Sequence, residues 1–373
     1  MKERKSPDES FSPGPDIIDR SGVLPPGKPT VRDIAELAGV SHSTVSRALN
    51  GSPLISTDTR ERVCRIAENI GFEFNEGARR LKNRKTGIIG VIYYSSLNDF
   101  RSSLYTNELF RDLRHNLERV GLDALLVEAW SEKLGQSNIV RLIRQNKVDG
   151  FIIIHPGIRP EDYELARAHQ LPVVHLHTVP ELIPRESFDC FFTDNFQGGR
   201  LAGEHLLDSG CKNIQVVRIN EKKSEEFRMR TAGCLDAVKK AGFSIDETHS
   251  FSCSCSYEGG YQIVRKNLRY LKRLDGIFIP ADITAFGVLN ALREEGFLIP
   301  EDMKVIGFDD SPVSRMTLPP LTTVHQPREL LSELACRRVH SLLFEDSDQK
   351  PVLKYLEPSL VIRESTSETF RRG

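Results

Sequence analysis

Near the N-terminus, His42, Ser43, Ser46, Arg47 and Asn50 recur at helical spacing, on the side away from Val45, Ala48 and Leu49. Short hydroxyl and amide groups reach phosphate oxygens. A guanidinium matches the two acceptors that guanine presents in the major groove. A helix made only to lie on a surface favours long Glu and Lys side chains that pair with one another. The pattern alone leaves both readings open. Other chemistry-bearing pairs are thinner. His175 and His177 sit two residues apart, as do Cys253 and Cys255. Two ligands on one strand fall short of the three or four a zinc site needs, so no metal and no other cofactor is expected. The chain also has no phosphate-cradling P-loop, no G-x-S-x-G elbow and no metalloprotease helix, and it reads as a non-enzyme.

Composition narrows the partners. Lys and Arg total 51 against 52 Asp and Glu, which excludes a uniformly basic nucleic-acid coat but not a local patch. That patch exists: residues 28–85 hold eleven Lys/Arg and seven Asp/Glu, and five of the seven residues from Arg79 to Lys85 are basic. No apolar run approaches the roughly 18 residues that span a bilayer, so no membrane partner is expected. Met1 to Gly27 has no apolar signal-peptide core. Seven cysteines, an odd count without a C-x-x-C pair, suit free thiols in a reducing cytoplasm.

These residues need elements to hold them. Residues 1–27, rich in Pro, Ser, Gly and Asp, read as a disordered tail. Three short helices follow between Thr30 and Ile70. Thr30, Ser41 and Ser56 are N-caps, and Gly39 and Gly71 are stops. Two helices joined by a Gly-containing turn, with a third closing the core, make a helix-turn-helix. From Thr86 onward short apolar runs alternate with amphipathic stretches. The runs are 87–92, 122–127, 151–154, 172–176, 190–193, 214–219, 276–279 and 304–308. The stretches include 108–120, 199–209, 228–241 and 284–295. Such alternation predicts an α/β fold with parallel sheets covered on both faces. The run Lys147-Val148-Asp149-Gly150-Phe151-Ile152 is echoed by Arg273-Leu274-Asp275-Gly276-Ile277-Phe278, which points to two related lobes with a ligand cleft at the strand ends.

The segment Thr30-Val31-Arg32-Asp33-Ile34-Ala35-Glu36-Leu37-Ala38-Gly39-Val40-Ser41-His42-Ser43-Thr44-Val45-Ser46-Arg47-Ala48-Leu49-Asn50 resembles the opening of the lactose-repressor family of bacterial transcription regulators. The likeness continues in Thr59–Val63, Thr193-Asp194-Asn195, Leu201-Ala202, 305–310, 319–324 and 360–365. It implies a helix-turn-helix domain at 28–74, a hinge helix and linker at 75–85, a two-lobed periplasmic-binding-protein-like core at 86–365 and a tail at 366–373. By the resemblance, His42, Ser43 and Arg47 read bases, while Thr44, Ser46 and Asn50 touch phosphates. Leu81 matches the hinge leucine that wedges between base steps, with Arg79 beside phosphates. Two residues depart from the family: Gly77 costs helix propensity, so the hinge is expected to be poorly helical off DNA, and Glu76 sets a negative charge near DNA, though close to a helix N-terminus it also helps the dipole.

In the core the resemblance assigns ligand contacts to Arg230, in the pattern Arg-x-x-Gly, and to Asp309, set on opposite cleft walls. His177, ending the strand at 172–176, is a further candidate beside a plain structural role. Ala281 and Cys255 stand where the family commonly has a ligand amide and a pocket aromatic, which weakens the sugar-binding expectation. The whole implies a cytoplasmic, homodimeric, DNA-binding regulator, most simply a repressor. Its expected partners are a palindromic double-stranded operator and a small effector, a sugar or related polar metabolite. An exported binding protein would explain residues 86–365 but not the N-terminal module, and an enzyme reading rests on architecture alone.

Overall fold

The computed structural model describes residues 29–49, 52, 54–72, 85–93, 104–154, 158–177, 187–220, 224–245, 251–345 and 350–367. The chain divides into two compact units between Asn83 and Arg84. Asn50, Arg79 and Leu81, with nearly all of the expected hinge, lie outside the described residues.

The first unit has three helices, α1 (Val31–Ala38), α2 (His42–Leu49) and α3 (Thr57–Asn69). Each begins at its expected cap. Thr30 and Asp33 bond reciprocally as a capping box. Ser41 Oγ accepts from the Thr44 amide at 3.1 Å, and Ser56 Oγ from the Thr59 amide at 3.4 Å. Gly39 ends α1 at φ 62°, the left-handed conformation that a side chain would strain. Ile34, Ala35, Ala38, Val45, Ala48, Val63 and Ala67 form the core, with Leu49, Ile66 and Ile70 packed at its edge.

The second unit opens with β1 (Ile88–Tyr93), α4 (Leu104–Arg119) and β2 (Asp123–Glu128). A small hairpin follows, β3 (Trp130–Ser131) with β4 (Gln136–Ser137), then α5 (Asn138–Arg144), β5 (Gly150–Ile154), α6 (Pro160–Ala168), β6 (Val173–Leu176) and β7 (Asp189–Thr193). One residue later the chain enters the second lobe. There it forms α7 (Asn195–Asp208), β8 (Ile214–Val216), β9 (Arg218–Ile219), α8 (Glu225–Lys240), β10 (Ser252–Cys253) and α9 (Tyr257–Leu271). It continues through β11 (Gly276–Phe278), α10 (Asp282–Glu294), β12 (Lys304–Asp309), α11 (Pro312–Met316) and β13 (Thr322–His325). It returns to the first lobe for α12 (Arg328–Phe344) and β14 (Leu353–Leu356), and crosses a third time to β15 (Ser359–Val361).

The first lobe's sheet runs β14-β7-β6-β5-β1-β2, and all its pairs are parallel. The second lobe's runs β15-β13-β12-β11-β8, with β15 antiparallel. Crossovers leave from the carboxyl ends of β7, β13 and β14, so those ends of the two sheets face one another. The sequence echo is a structural one. Asp149 accepts from the amides of Thr86 and Gly87 at 2.7 and 2.6 Å; Asp275 accepts from those of Lys212 and Asn213. Each carboxylate ties off the start of its lobe's first strand.

Some expectations need correction. The run 214–219 is two strands: after Val216, β8 stays in the main sheet while β9 pairs with β10. Thr366, expected in a tail, is buried and shares hydrogen bonds with Thr322 Oγ1 at 2.7 Å and His205 Nε2 at 2.8 Å, so the core runs past Ser365. Lys85, expected in the linker, belongs to the second unit.

Candidate functional site

On α2 the two faces divide as the spacing predicts. Val45 and Ala48 are buried, and His42, Ser43 and Arg47 are exposed. Thr44 and Ser46 are half-buried. The Ser41 hydroxyl lies 2.8 Å from those of both Ser43 and Thr44, so the start of α2 carries a small hydroxyl network. A duplex met by this face would find donors that rotate and one exposed guanidinium.

The core's polar site lies where the carboxyl ends of the strands meet. Arg230, on α8, is 4% exposed. Its Nε donates to Asn195 Oδ1 at 2.8 Å; its Nη1 donates to the Pro280 carbonyl at 2.8 Å and to Asp309 Oδ1 at 3.2 Å. The guanidinium lies over the Phe308 ring, 3.9 Å from its centroid. Gln326 Nε2 also donates to Asp309 Oδ1, at 2.7 Å, and Gln326 Oε1 accepts from Thr193 Oγ1 at 3.0 Å. The expectation of opposite walls is therefore wrong. Both charges come from the second lobe and face each other directly, because Asp309 ends β12 beside the helix that carries Arg230.

His177 comes from the first lobe, just past β6, and is 8% exposed. Burial, and then Arg230, push its ring down to about 3, so it is neutral. Burial, and then Asp309, raise Tyr105 well above its usual value, so its hydroxyl keeps its proton. The Tyr105 hydroxyl and His177 Nε2 share a hydrogen bond of 3.2 Å. Nδ1 lies 4.0 Å from Glu226 Oε1 on α8. Asp282 is fully buried. It accepts from Thr323 Oγ1 at 2.6 Å and the Ser311 amide at 2.8 Å. Burial, and then Asp309, push it well above the ordinary carboxylate range. His177 and Asp309 have positive φ, 64° and 120°, conformations that β-carbons disfavour and that gather at functional sites.

Ala281 and Cys255 fall together. With Ile219, Ile283, Phe227 and Tyr257 they make a small apolar cluster, and Phe227 also lies 5.2 Å from the Arg230 guanidinium. Sequence reasoning missed Tyr105, Asn195, Glu226, Asp282 and Gln326. Asn195 stood inside a recognised motif; nothing in the sequence singles out Tyr105. Among the described residues, no group of three or more His, Cys, Asp or Glu is gathered to hold a metal, and no helix is long and apolar enough to cross a membrane.

His175, one strand position from the cleft, is fully buried with neither ring nitrogen hydrogen-bonded. Burial pushes it to about 3. The unfolded chain binds that proton near pH 6.5, so stability is full above 6.5 and declines as pH falls toward 3. The slope is up to about 1.4 kcal/mol per pH unit for each such histidine. The raised Asp282 works the other way, losing its contribution as pH rises. His175→Leu should therefore flatten the acid side of a urea-midpoint profile between pH 7 and 5. An unchanged slope would place the sensitivity elsewhere.

Residues 30–75 match the family of bacterial regulatory proteins named for lacI, and residues 204–366 match the periplasmic binding protein-like domain. The chain is 30% identical over 347 residues to the HTH-type transcriptional regulator DegA of Bacillus subtilis (strain 168), covering 91% of this chain and 98% of that one. It is 29% identical over 343 residues to the HTH-type transcriptional repressor PurR of Mannheimia succiniciproducens, covering 91% and 99%. Among solved structures it resembles the transcriptional regulator CelR–cellobiose complex at a TM-score of 0.66 and 27% identity, covering 91% of this chain and all of that one. Three capped helices exposing His42, Ser43 and Arg47, joined to a two-lobed core with a buried polar cluster, thus accompany a match over 91% of the chain, and the chain belongs to the lacI family of bacterial regulatory proteins.

Proposed function

We propose that the chain is a cytoplasmic, dimeric repressor that reads a palindromic operator through α2 and the segment around Arg79 and Leu81. We further propose that it responds to a small polar effector held near Arg230, Asp309 and His177. One observation carries the DNA side: His42, Ser43 and Arg47 stand exposed on a helix whose opposite face is locked into a core. Arg47→Ala is expected to weaken binding to a selected operator by about 1–3 kcal/mol and to relax base preference at one position per half-site. An equal loss on every sequence would make Arg47 a phosphate contact instead.

On the ligand side, Ala281 and Cys255 belong to one apolar cluster with Phe227, whose ring centre lies 5.2 Å from the Arg230 guanidinium. This favours an effector with a polar edge and an apolar or planar face, so nucleobases and nucleosides belong in the screen with sugars, sugar phosphates and amino acids. Asp309→Asn keeps the shape of the Arg230 pair while removing its charge. It should abolish the response to whichever compound shifts operator binding, with operator affinity retained. A full response would remove Asp309 from the site. Asp309→Ala is a poorer probe, because it also removes the oxygen that accepts from Arg230 and Gln326.

A further inference from the structure

The second unit begins with a contact that the fold does not require. The Lys85 ammonium donates to the Leu343 carbonyl in the last turn of α12, and it lies 4.3 Å from the centre of the Phe344 ring. A cation suits a helix C-terminus, where unpaired carbonyls gather. Phe344 is 51% exposed, so its ring is no core residue; the His340 ring lies beside it, at 4.7 Å. The next two residues, Thr86 and Gly87, are fixed to Asp149. In the second lobe, Asp275 ties off the equivalent strand start through the amides of Lys212 and Asn213. The strand start is thus secured by the carboxylate, and the Lys85 clasp is an addition.

Its position gives it a use. Lys85 directly follows the stretch that leads from the DNA-reading unit. The helix it grips starts at the cleft: Gln326, two residues before α12, bonds Asp309 and Thr193, and Arg328 Nε donates to Asp112 Oδ2 at 2.6 Å. Seventeen residues of helix span about 26 Å. We propose that Lys85 is a positioning residue. It clasps the root of the linker onto α12, so that each protomer's DNA-reading unit leaves the core from a fixed point, set by the helix whose first turn lies at the cleft. Fixed exits raise the effective concentration of the second reading unit at one half-site separation and lower it at others.

The inference rests on the DNA-binding reading, and the experiment separates the two. Intact protein is used to select a palindromic duplex from random sequence. Variants are then measured on that duplex and on two others with one base pair added to or removed from its centre. Wild type should prefer the selected spacing. In Lys85→Met, affinity for the selected duplex should fall about tenfold while that for the altered duplexes rises, so the discrimination collapses. The melting temperature and dimer content should be unchanged. Lys85→Arg, which keeps the charge and donors, should restore the preference, and Phe344→Leu should give a partial loss. Wild-type discrimination in Lys85→Met overturns the proposal. So does a Lys85→Arg variant as defective as Lys85→Met with a lowered melting temperature, since that marks packing alone. A wild type that selects no duplex removes the DNA-binding reading and the clasp with it.

Discussion

A chain lacking residues 1–83 should fold, dimerise and lose operator binding by about 10³-fold or more, the usual gap between specific and non-specific affinity. The reading face, its three caps and its seven-residue core all lie before Asn83. The charge points the same way. Residues 28–85 carry a net +4 and residues 86–373 a net −4, so the core alone has no surplus cation to attract a phosphate backbone. A gel shift at two salt concentrations checks this. Full-length protein should weaken steeply with salt, by about 0.9 in log K per log salt for each phosphate neutralised. A truncated core that still retards the selected duplex specifically would move the reading surface out of the first unit.

The second large effect is expected from a methyl group. A Cβ placed on Gly199 would lie 1.9 Å from the backbone oxygen of Arg230, and one on Gly233 would lie 1.9 Å from that of Phe196. The helices α7 and α8 therefore touch backbone to backbone at two reciprocal points, and neither contact can yield by turning a side chain. Gly233→Ala should cost about 3 kcal/mol or more, at or above the upper end of ordinary overpacking. Gly199→Ala should do the same and also shift Arg230, whose carbonyl it strikes. Gly210→Ala is the contrast: at φ 87° it is strained, but it has nothing within 4 Å. Urea midpoints for the three would rank Gly210→Ala mildest. Equal costs would mean that backbone conformation, rather than helix separation, sets the penalty.

The sequence is most legible where a signal is local. Thr30, Ser41 and Ser56 act as caps because a side chain and an amide three residues on need nothing else. Seven of the eight expected apolar runs became a single strand, and the eighth, 214–219, became two. The runs escaped detection where burial is polar. Thr322 and Thr323 in β13 are fully buried, yet their hydroxyls bond Arg363 and Asp282, so no hydrophobic pattern marks them. The site divides in the same way. Arg230, Asp309 and His177 were reached through motif and strand-end position, and the structure brings them together around Phe308 and Tyr105. That Arg230 and Asp309 pair within one lobe is a matter of packing between α8 and β12, 79 residues apart in sequence. Tyr105 and Glu226 meet His177 only through tertiary folding.

The three crossings between lobes also set an order on synthesis. Neither lobe is a continuous stretch of chain. β14 forms the outer edge of the first sheet and β15 that of the second, and the two lie within nine residues, Leu353–Val361. Until that stretch leaves the ribosome, both sheets end in an open strand, β7 in one and β13 in the other, each a template for pairing with another chain. The core is therefore completed almost at a stroke, at the very end of translation. A ribosome that stops near Glu345 would release not one finished lobe and one unfinished, but two lobes with unsealed edges.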